Sequence, residues 1–420
     1  MTHTQILGVS ITLSLLFLST SCYTSKNVQQ SVSTPNEGMQ TALSFDNNRD
    51  VTSIDPFTLG REFEILKDTT VNYLMPVLQL KRYESDYSDF HLKWSWMQAY
   101  PTFHSRLTNE HHINQETIYK LHDTKTMRDN SVLKENTLIT NETALSHLIQ
   151  KCKDEQIVMF NENHLAPHHR ILAQIIVDSL YNYGFKHLGI EAIWENDSLI
   201  NERGFAITNT GFYTREPMMA NFIRKAIEKG YYVFGYDDFT NTREKNQALN
   251  IYRKTLAKDS LCKVLIWAGH GHISKAEGKM AREFFLLTGI DPLTIEQTEF
   301  ASDTEYLVIS DSSTLSNRRM TCDIFLSNNF NYELLASKSN YYNYSISIPD
   351  KIVEQMQIEP YTFIISIFRE AEYLKDKRAI PVYNHVLNNN LHEISIKLPV
   401  SKYFYVIKDI HGKKVFSGNL

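Results

Sequence analysis

Between residues 143 and 315, short apolar runs alternate with stretches whose apolar residues recur every three or four positions. That alternation predicts helix TALSHLIQKC and strand QIVMF, then helix RILAQIIVDSLYNY and strand KHLGIEA. It continues with helix MMANFIRKAIEK, strand YYVFGYDD, helix EKNQALNIYRKTLAK and strand CKVLIWAG. Helix GKMAREFFLLTG and strands PLTIEQT and EYLVIS close the series. Gly184 and Gly230 stand where two of the helices stop, the position of a left-handed cap. Strands apolar on both faces, alternating with amphipathic helices, predict an α/β fold whose mostly parallel sheet is flanked by helices.

The flanks read differently. Residues 56–142 are mostly helical in period: FEILKDTTVNYLMPVLQL spaces its apolar residues at three and four, and HLKWSWMQAY follows. Two to four helices are expected there. Residues 320–420 hold SNYYNYSISI, YTFIISIF, LHEISIKL and YFYVIKD, short β-prone lengths with a hairpin turn at IHGKK. They predict a small antiparallel β domain with a structural or interaction role.

At the start, ILGVSITLSLLFL is an uncharged run too short to span a bilayer as a mature helix, and STSC follows it. Residues 1–22 resemble a bacterial lipoprotein signal peptide, which implies cleavage before Cys22 and lipidation of its thiol. The n-region, MTHTQ, lacks the usual Lys or Arg, and Ser19 replaces the commonest Leu. Residues 23–55 are polar and poor in large apolar groups, a flexible tether between a membrane and the folded part. The expected location is extracytoplasmic, at the outer membrane or the periplasmic face.

Composition narrows the function classes. A net charge of −5 without a basic run argues against nucleic acid as a partner. Cys22, Cys152, Cys262 and Cys322 have no redox-pair or metal-knuckle spacing, and Cys152 and Cys262 read as core thiols. His111 and His112 lack carboxylates at ligand spacing and read as surface residues.

The candidate chemistry collects at strand ends. In a parallel sheet the strand C-termini share one edge, and functional groups gather there. The first strand runs into Glu162 and His164, two apart and so on one face if the chain stays extended. The second ends at Glu191, the third at Asp237 and Asp238, and the fourth at His270 and His272. Pro167 marks a helix start, and His168 lies at the top of that helix's buried stripe, positioned to lean into the cleft. Arg243 opens a helix at the positive end of its dipole, so it either pairs with an acid such as Asp237 or awaits an anionic group. A loop over residues 194–214 is long enough to be functional, with Phe212, Tyr213 and Arg215 as its closing surface.

NENHLAPHHR, GIEA and WAGHGHI resemble the motif series of the erythromycin-esterase/ChaN-like/Tiki superfamily over roughly residues 143–300. The resemblance carries over Glu162, His164, Glu191 and His272; Asn161 stands where that family usually has Gly. It implies the α/β fold, and it leaves open ester hydrolysis, metal-dependent peptide hydrolysis or haem binding.

Three readings therefore stand. The first is a membrane-anchored hydrolase of an ester or amide in a small-molecule substrate. His164 would act as base, Glu162 would orient it, and His272 or Arg243 would stabilise the oxyanion. The Glu162–His164 pairing would raise the His164 pKa. A variant places Zn or Mn among Glu162, His164, Glu191 and His272. The second is a haem- or iron-binding lipoprotein with Tyr213, Tyr236, His168 or another cleft histidine as ligand. The third is a structural lipoprotein with an inert cleft.

Overall fold

The computed structural model describes residues 50–108, 125–126, 138–301, 305–311, 318–338, 340–358, 362–387 and 391–420. The signal peptide, Cys22, most of the tether, His111 and His112 lie outside them.

The N-terminal part holds α1 (Pro56–Glu64), α2 (Met75–Arg82) and α3 (Phe90–His104). Pro near the first position starts α1 and α2, while Asp55 and Asp89 cap α1 and α3 through their carboxylates. The helical spacing of FEILKDTTVNYLMPVLQL is interrupted between α1 and α2. The Asp68 carboxylate accepts from the Thr70 backbone and hydroxyl, Thr69 takes φ 66°, and Ile65 bridges to Val71. Asp and Thr compete locally with helical hydrogen bonding, and here they win.

The central part runs β1 (Lys125–Thr126), β2 (Ile139–Thr140), α4 (Asn141–Lys153), β3 (Ile157–Glu162), α5 (Pro167–Asn182), β4 (Phe185–Ile190) and the short α6 (Ile200–Arg203). It continues through α7 (Pro217–Lys229), β5 (Tyr232–Phe234), α8 (Arg243–Lys254), β6 (Lys263–Gly269), α9 (Met280–Thr288), β7 (Leu293–Glu296), β8 (Phe300–Ala301), β9 (Leu307–Asp311) and β10 (Ile324–Asn328). The strand order is β2-β9-β10-β7-β3-β6-β4-β5. Pairings from β10 through β5 are parallel, and β9 is antiparallel to both β10 and β2. The fold is α/β with a mostly parallel sheet, as the period predicted. Gly184 and Gly230 take φ 95° and 107°, the expected left-handed caps.

Two departures matter. Strand β10 comes from the stretch that the sequence grouped with the C-terminal β domain, yet it sits inside the central sheet. The strand expected over YYVFGYDD shrinks to β5, because a Cβ at Gly235 would lie 2.1 Å from the Ile193 carbonyl oxygen and the chain there runs against the β4 exit.

The C-terminal part contains α10 (Tyr332–Lys338), β11 (Tyr341–Ser347), α11 (Asp350–Ile358), β12 (Phe363–Arg369), α12 (Glu370–Lys375), β13 (Tyr383–Leu387), β14 (Glu393–Pro399), β15 (Tyr403–Asp409) and β16 (Lys414–Asn419). It forms an antiparallel sheet, β13-β12-β15-β16, and an antiparallel pair, β11-β14. The hairpin at IHGKK turns on Gly412 at φ 77°. Its inner face has its own core around Ile346, Met356, Ile365 and Leu398, while Ile364, Ile380, Val386 and Ile410 join the cluster that also holds Leu59, Phe103, Phe160 and Trp267. Cys152, Cys262 and Cys322 are buried free thiols. Among the described residues no helix is long and apolar enough to cross a membrane.

Candidate functional site

Register brings the strand ends together. Glu162, the last residue of β3, pairs with Gly269, the last of β6, and Ile190 at the end of β4 pairs with Trp267. Glu191, one step past β4, donates its N–H to the Trp267 carbonyl at 3.0 Å and so stands beside the same edge. Three adjacent strands thus deliver Glu162, Glu191 and the segment carrying His270 and His272 to one place.

Glu162 is the fixed point. It is 1 % exposed and carries no water-facing edge. Arg170, in the first turns of α5, grips it with Nε at 2.8 Å from Oε2 and Nη2 at 2.6 Å from Oε1. The Trp267 indole donates to Oε2 at 2.7 Å, and His164 Nδ1 lies 2.8 Å from Oε1. Burial opposes its ionisation, but Arg170 and then His164 outweigh that and hold the carboxyl far below the usual range. An ionised Glu162 at Nδ1 makes that nitrogen the protonated one and leaves Nε2 as the basic end of His164.

Nε2 points toward β6. A Cβ built on Gly269 would lie 2.5 Å from His164 Nε2 and 3.2 Å from Glu191 Oε2, so this strand end has room only for glycine. The imidazole lies 3.9 Å from the Tyr213 ring, centroid to centroid and nearly parallel at 17°. His270 stands edge-on at 6.0 Å and takes φ 34°, a left-handed conformation that a non-glycine residue keeps only where its surroundings enforce it. Asn161, where the resembled family has Gly, is part of that enforcement. Its amide donates to the His270 carbonyl at 2.8 Å and to Glu296 at 2.9 Å, and accepts from Gln297 N at 2.9 Å.

A second ionic layer lies beside the first. Glu191 accepts from Arg243 Nη2 at 2.8 Å and from Gly269 N, with His272 Nε2 3.5 Å from Oε1. Burial works against its charge, yet His272, Arg243 and His164 together lower its pKa. Arg243 also bridges Asp237 through Nε and Nη2, each at 2.9 Å, which settles its two expected roles in favour of acid pairing. Burial lifts the Asp237 pKa, and the Glu191 charge adds to that rise. His272 Nδ1 is 3.0 Å from Glu244 Oε1. Burial alone would lower the His272 pKa, but Glu191 and Glu244 reverse the sign and raise it.

Other expected residues fall elsewhere. His168 packs its ring edge-on against His169, centroids 4.5 Å apart, and its carbonyl accepts from Asn328. His169, not His168, is the inward one: its Nδ1 accepts from Asn163 N at 3.0 Å, bracing the turn between Glu162 and His164. Tyr236 is fully buried and donates to the Trp267 carbonyl at 3.1 Å, so it is a core residue and no haem ligand. Of the expected closing surface only Tyr213 meets the site. Phe212 packs edge-on to Phe57 and Phe103, and Arg215 pairs with Glu64 at 2.6 Å, both facing the N-terminal helices.

The donor set does not fit a metal among Glu162, His164, Glu191 and His272. Both oxygens of each carboxylate already accept from a cation or an N–H, and among the described residues no group of three or more His, Cys, Asp or Glu converges as ligands. Buried Arg170 and part-buried Arg243, beside the carboxylates, supply the positive charge that a metal would bring.

Arg170, Glu216, Trp267 and Glu244 are site residues that sequence reasoning missed. Arg170 Nη1 bonds Glu216 Oε2 at 2.9 Å, and Glu216 caps α7 by accepting from Met218 N and Met219 N. The signal was present: Arg170, like Arg243, is a cation near the positive end of a helix dipole, where it needs an acid.

No family model and no curated protein matches the chain. Among solved structures it is similar to the type III effector HopBA1, at 14% identity over 47% of this chain and 100% of that one, with a TM-score of 0.32. It is also similar to RRSP, a MARTX toxin effector domain from Vibrio vulnificus CMCP6, at 13% identity over 71% and 73%, TM-score 0.27. A third is the C-terminal region of Pasteurella multocida toxin, described with a thiol-protease-like catalytic triad, at 9% identity over 64% and 42%, TM-score 0.29. At these scores the likeness carries no weight in assigning an activity.

Proposed function

We propose that the cleft is the site of a metal-free hydrolase that cleaves an ester or amide by general-base catalysis. The observation that carries this reading is the Glu162–His164 pair at 2.8 Å, with the carboxylate held ionised by Arg170 and Trp267. His164 Nε2 takes a proton from water, and the water oxygen attacks the carbonyl carbon. The tetrahedral species then loses its C–O or C–N bond as the imidazolium returns the proton to the leaving atom. Glu162 keeps the imidazole in one tautomer and favours its charged form as the proton arrives. Glu191, beside Nε2, adds a second negative charge that favours the imidazolium. Arg243 is a positioning residue, since its charge is matched by Glu191 and Asp237, and the oxyanion is left to the groups flanking His164, Tyr213 and His270. The motif resemblance to the erythromycin-esterase/ChaN-like/Tiki superfamily agrees with this chemistry.

The test is a panel of ester and amide substrates assayed before and after chelation. Turnover that survives chelation and falls by about a thousandfold in His164→Ala supports the reading. Turnover abolished by chelation, or unaffected by that substitution, sinks it.

We further propose that the enzyme is tethered through a lipid on Cys22, outside the cytoplasm. A Cys22→Ser chain should accumulate as unacylated precursor; processing unchanged by both that substitution and globomycin would leave a plain secretory signal in its place.

A further inference from the structure

A second cleft lies away from the sheet-end site, where the turn after α1 meets the β12–β15 face of the C-terminal sheet. Its volume is about 430 Å³, in the range of small-ligand pockets. Two turns are locked together to form one wall. Gly412 approaches Leu66 so closely that a Cβ would lie 2.5 Å from its methyl carbon, and Asn72 donates to the Ile410 carbonyl at 2.8 Å. Lys408 Nζ, half-buried, reaches the Thr70 hydroxyl at 3.2 Å across the same seam. The opposite wall carries Phe368 and Tyr373, with Lys377 Nζ 3.9 Å from the Tyr373 ring centroid.

The charge of this cleft is one-sided. Lys377, Lys408, Lys413 and Lys414 line it against a single carboxylate, Asp68, one of whose oxygens is already taken by Thr70. Tyr73 also lines it, but its hydroxyl is buried in the field of Glu64, Arg106, Arg215 and Arg224, none of which lines the cleft, so the lysines are the groups that can hold a charged head.

We propose that this cleft binds a small amphipathic anion, with a phosphate or carboxylate head held by the lysines and an apolar or aromatic body against Phe368 and Tyr373. The lysine pair strengthens binding by about tenfold.

Calorimetric titration of the full chain with phenyl phosphate and with benzoate tests this and tells the two heads apart. The expected result is saturable one-to-one binding of at least one probe, retained in His164→Ala. The affinity drops by about tenfold in the double variant Lys377→Ala/Lys414→Ala. Its melting temperature without ligand should match that of the wild type, which separates lost binding from lost folding. No saturable binding of either probe, binding lost in His164→Ala, or an affinity that the lysine variant leaves unchanged would overturn the proposal.

Discussion

Glu162 carries more of the site than any other side chain, because four donors meet on one buried carboxylate. Replacing it with Gln strands the Arg170 guanidinium with Glu216 alone. Breaking a buried ion pair from one side costs about 3–5 kcal/mol, so chemical denaturation of Glu162→Gln should show a loss of that order. His272 makes the opposite kind of contribution. Its folded pKa is raised above the usual 6.5, so the stability that its charge supplies is fully present below that value. It is lost as pH rises through the raised folded pKa. The difference in melting temperature between wild type and His272→Gln should therefore shrink as pH increases from 6.5, and a difference that grows would contradict the ion pairing to Glu191 and Glu244. At this scale Glu162, His164, Glu191 and Arg243 were legible because each lies at or just past a strand end or opens a helix. Glu216 was not: it follows a long loop and reaches Arg170 only through tertiary packing. Tyr236 misled for a related reason, since a tyrosine near a strand end reads alike whether its hydroxyl faces a cleft or a core carbonyl.

Elements set the geometry that these residues need. The β3–β6 register places Gly269 opposite Glu162, and the missing Cβ is what lets His164 approach. Gly269→Ala should displace the imidazole, leaving the fold intact by circular dichroism while removing most activity. Wild-type activity in that variant would refute the position given to Nε2. The long connection between β4 and α7 contributes Glu191 at its start, Glu216 at its end and, between them, Tyr213, whose ring covers His164. An aromatic stack of this kind is worth about 0.5–1.5 kcal/mol, so Tyr213→Ala should lower kcat/KM by about tenfold and Tyr213→Phe by much less. The period of the sequence revealed the helices and the parallel strands well, since burial on both faces leaves a plain pattern. It could not show that β10 re-enters the central sheet or that β5 stops after three residues, because strand partners and backbone collisions are set by distant chain.

For the molecule as a whole, the flanks are built into the site's support. Glu64 of α1 accepts from Arg106 and Arg215, pinning the loop that carries Tyr213, and Arg224 of α7 holds Glu372 of α12 at 2.8 Å. Ile364, Ile380 and Val386 share one hydrophobic cluster with the central helices. Removal of residues 332–420 should therefore abolish cooperative unfolding of the remainder, rather than leave a folded α/β core. The small antiparallel β domain expected there from local pattern is present, although local period carries no information about which core its strands complete. If Glu162 and His164 act as one catalytic unit, a double-mutant cycle in kcat/KM shows it. With folding verified for each protein, Glu162→Gln, His164→Ala and the double variant should each lose about a thousandfold, the double no more than the worse single. Losses that multiply in the double variant would show two independent residues and contradict the account.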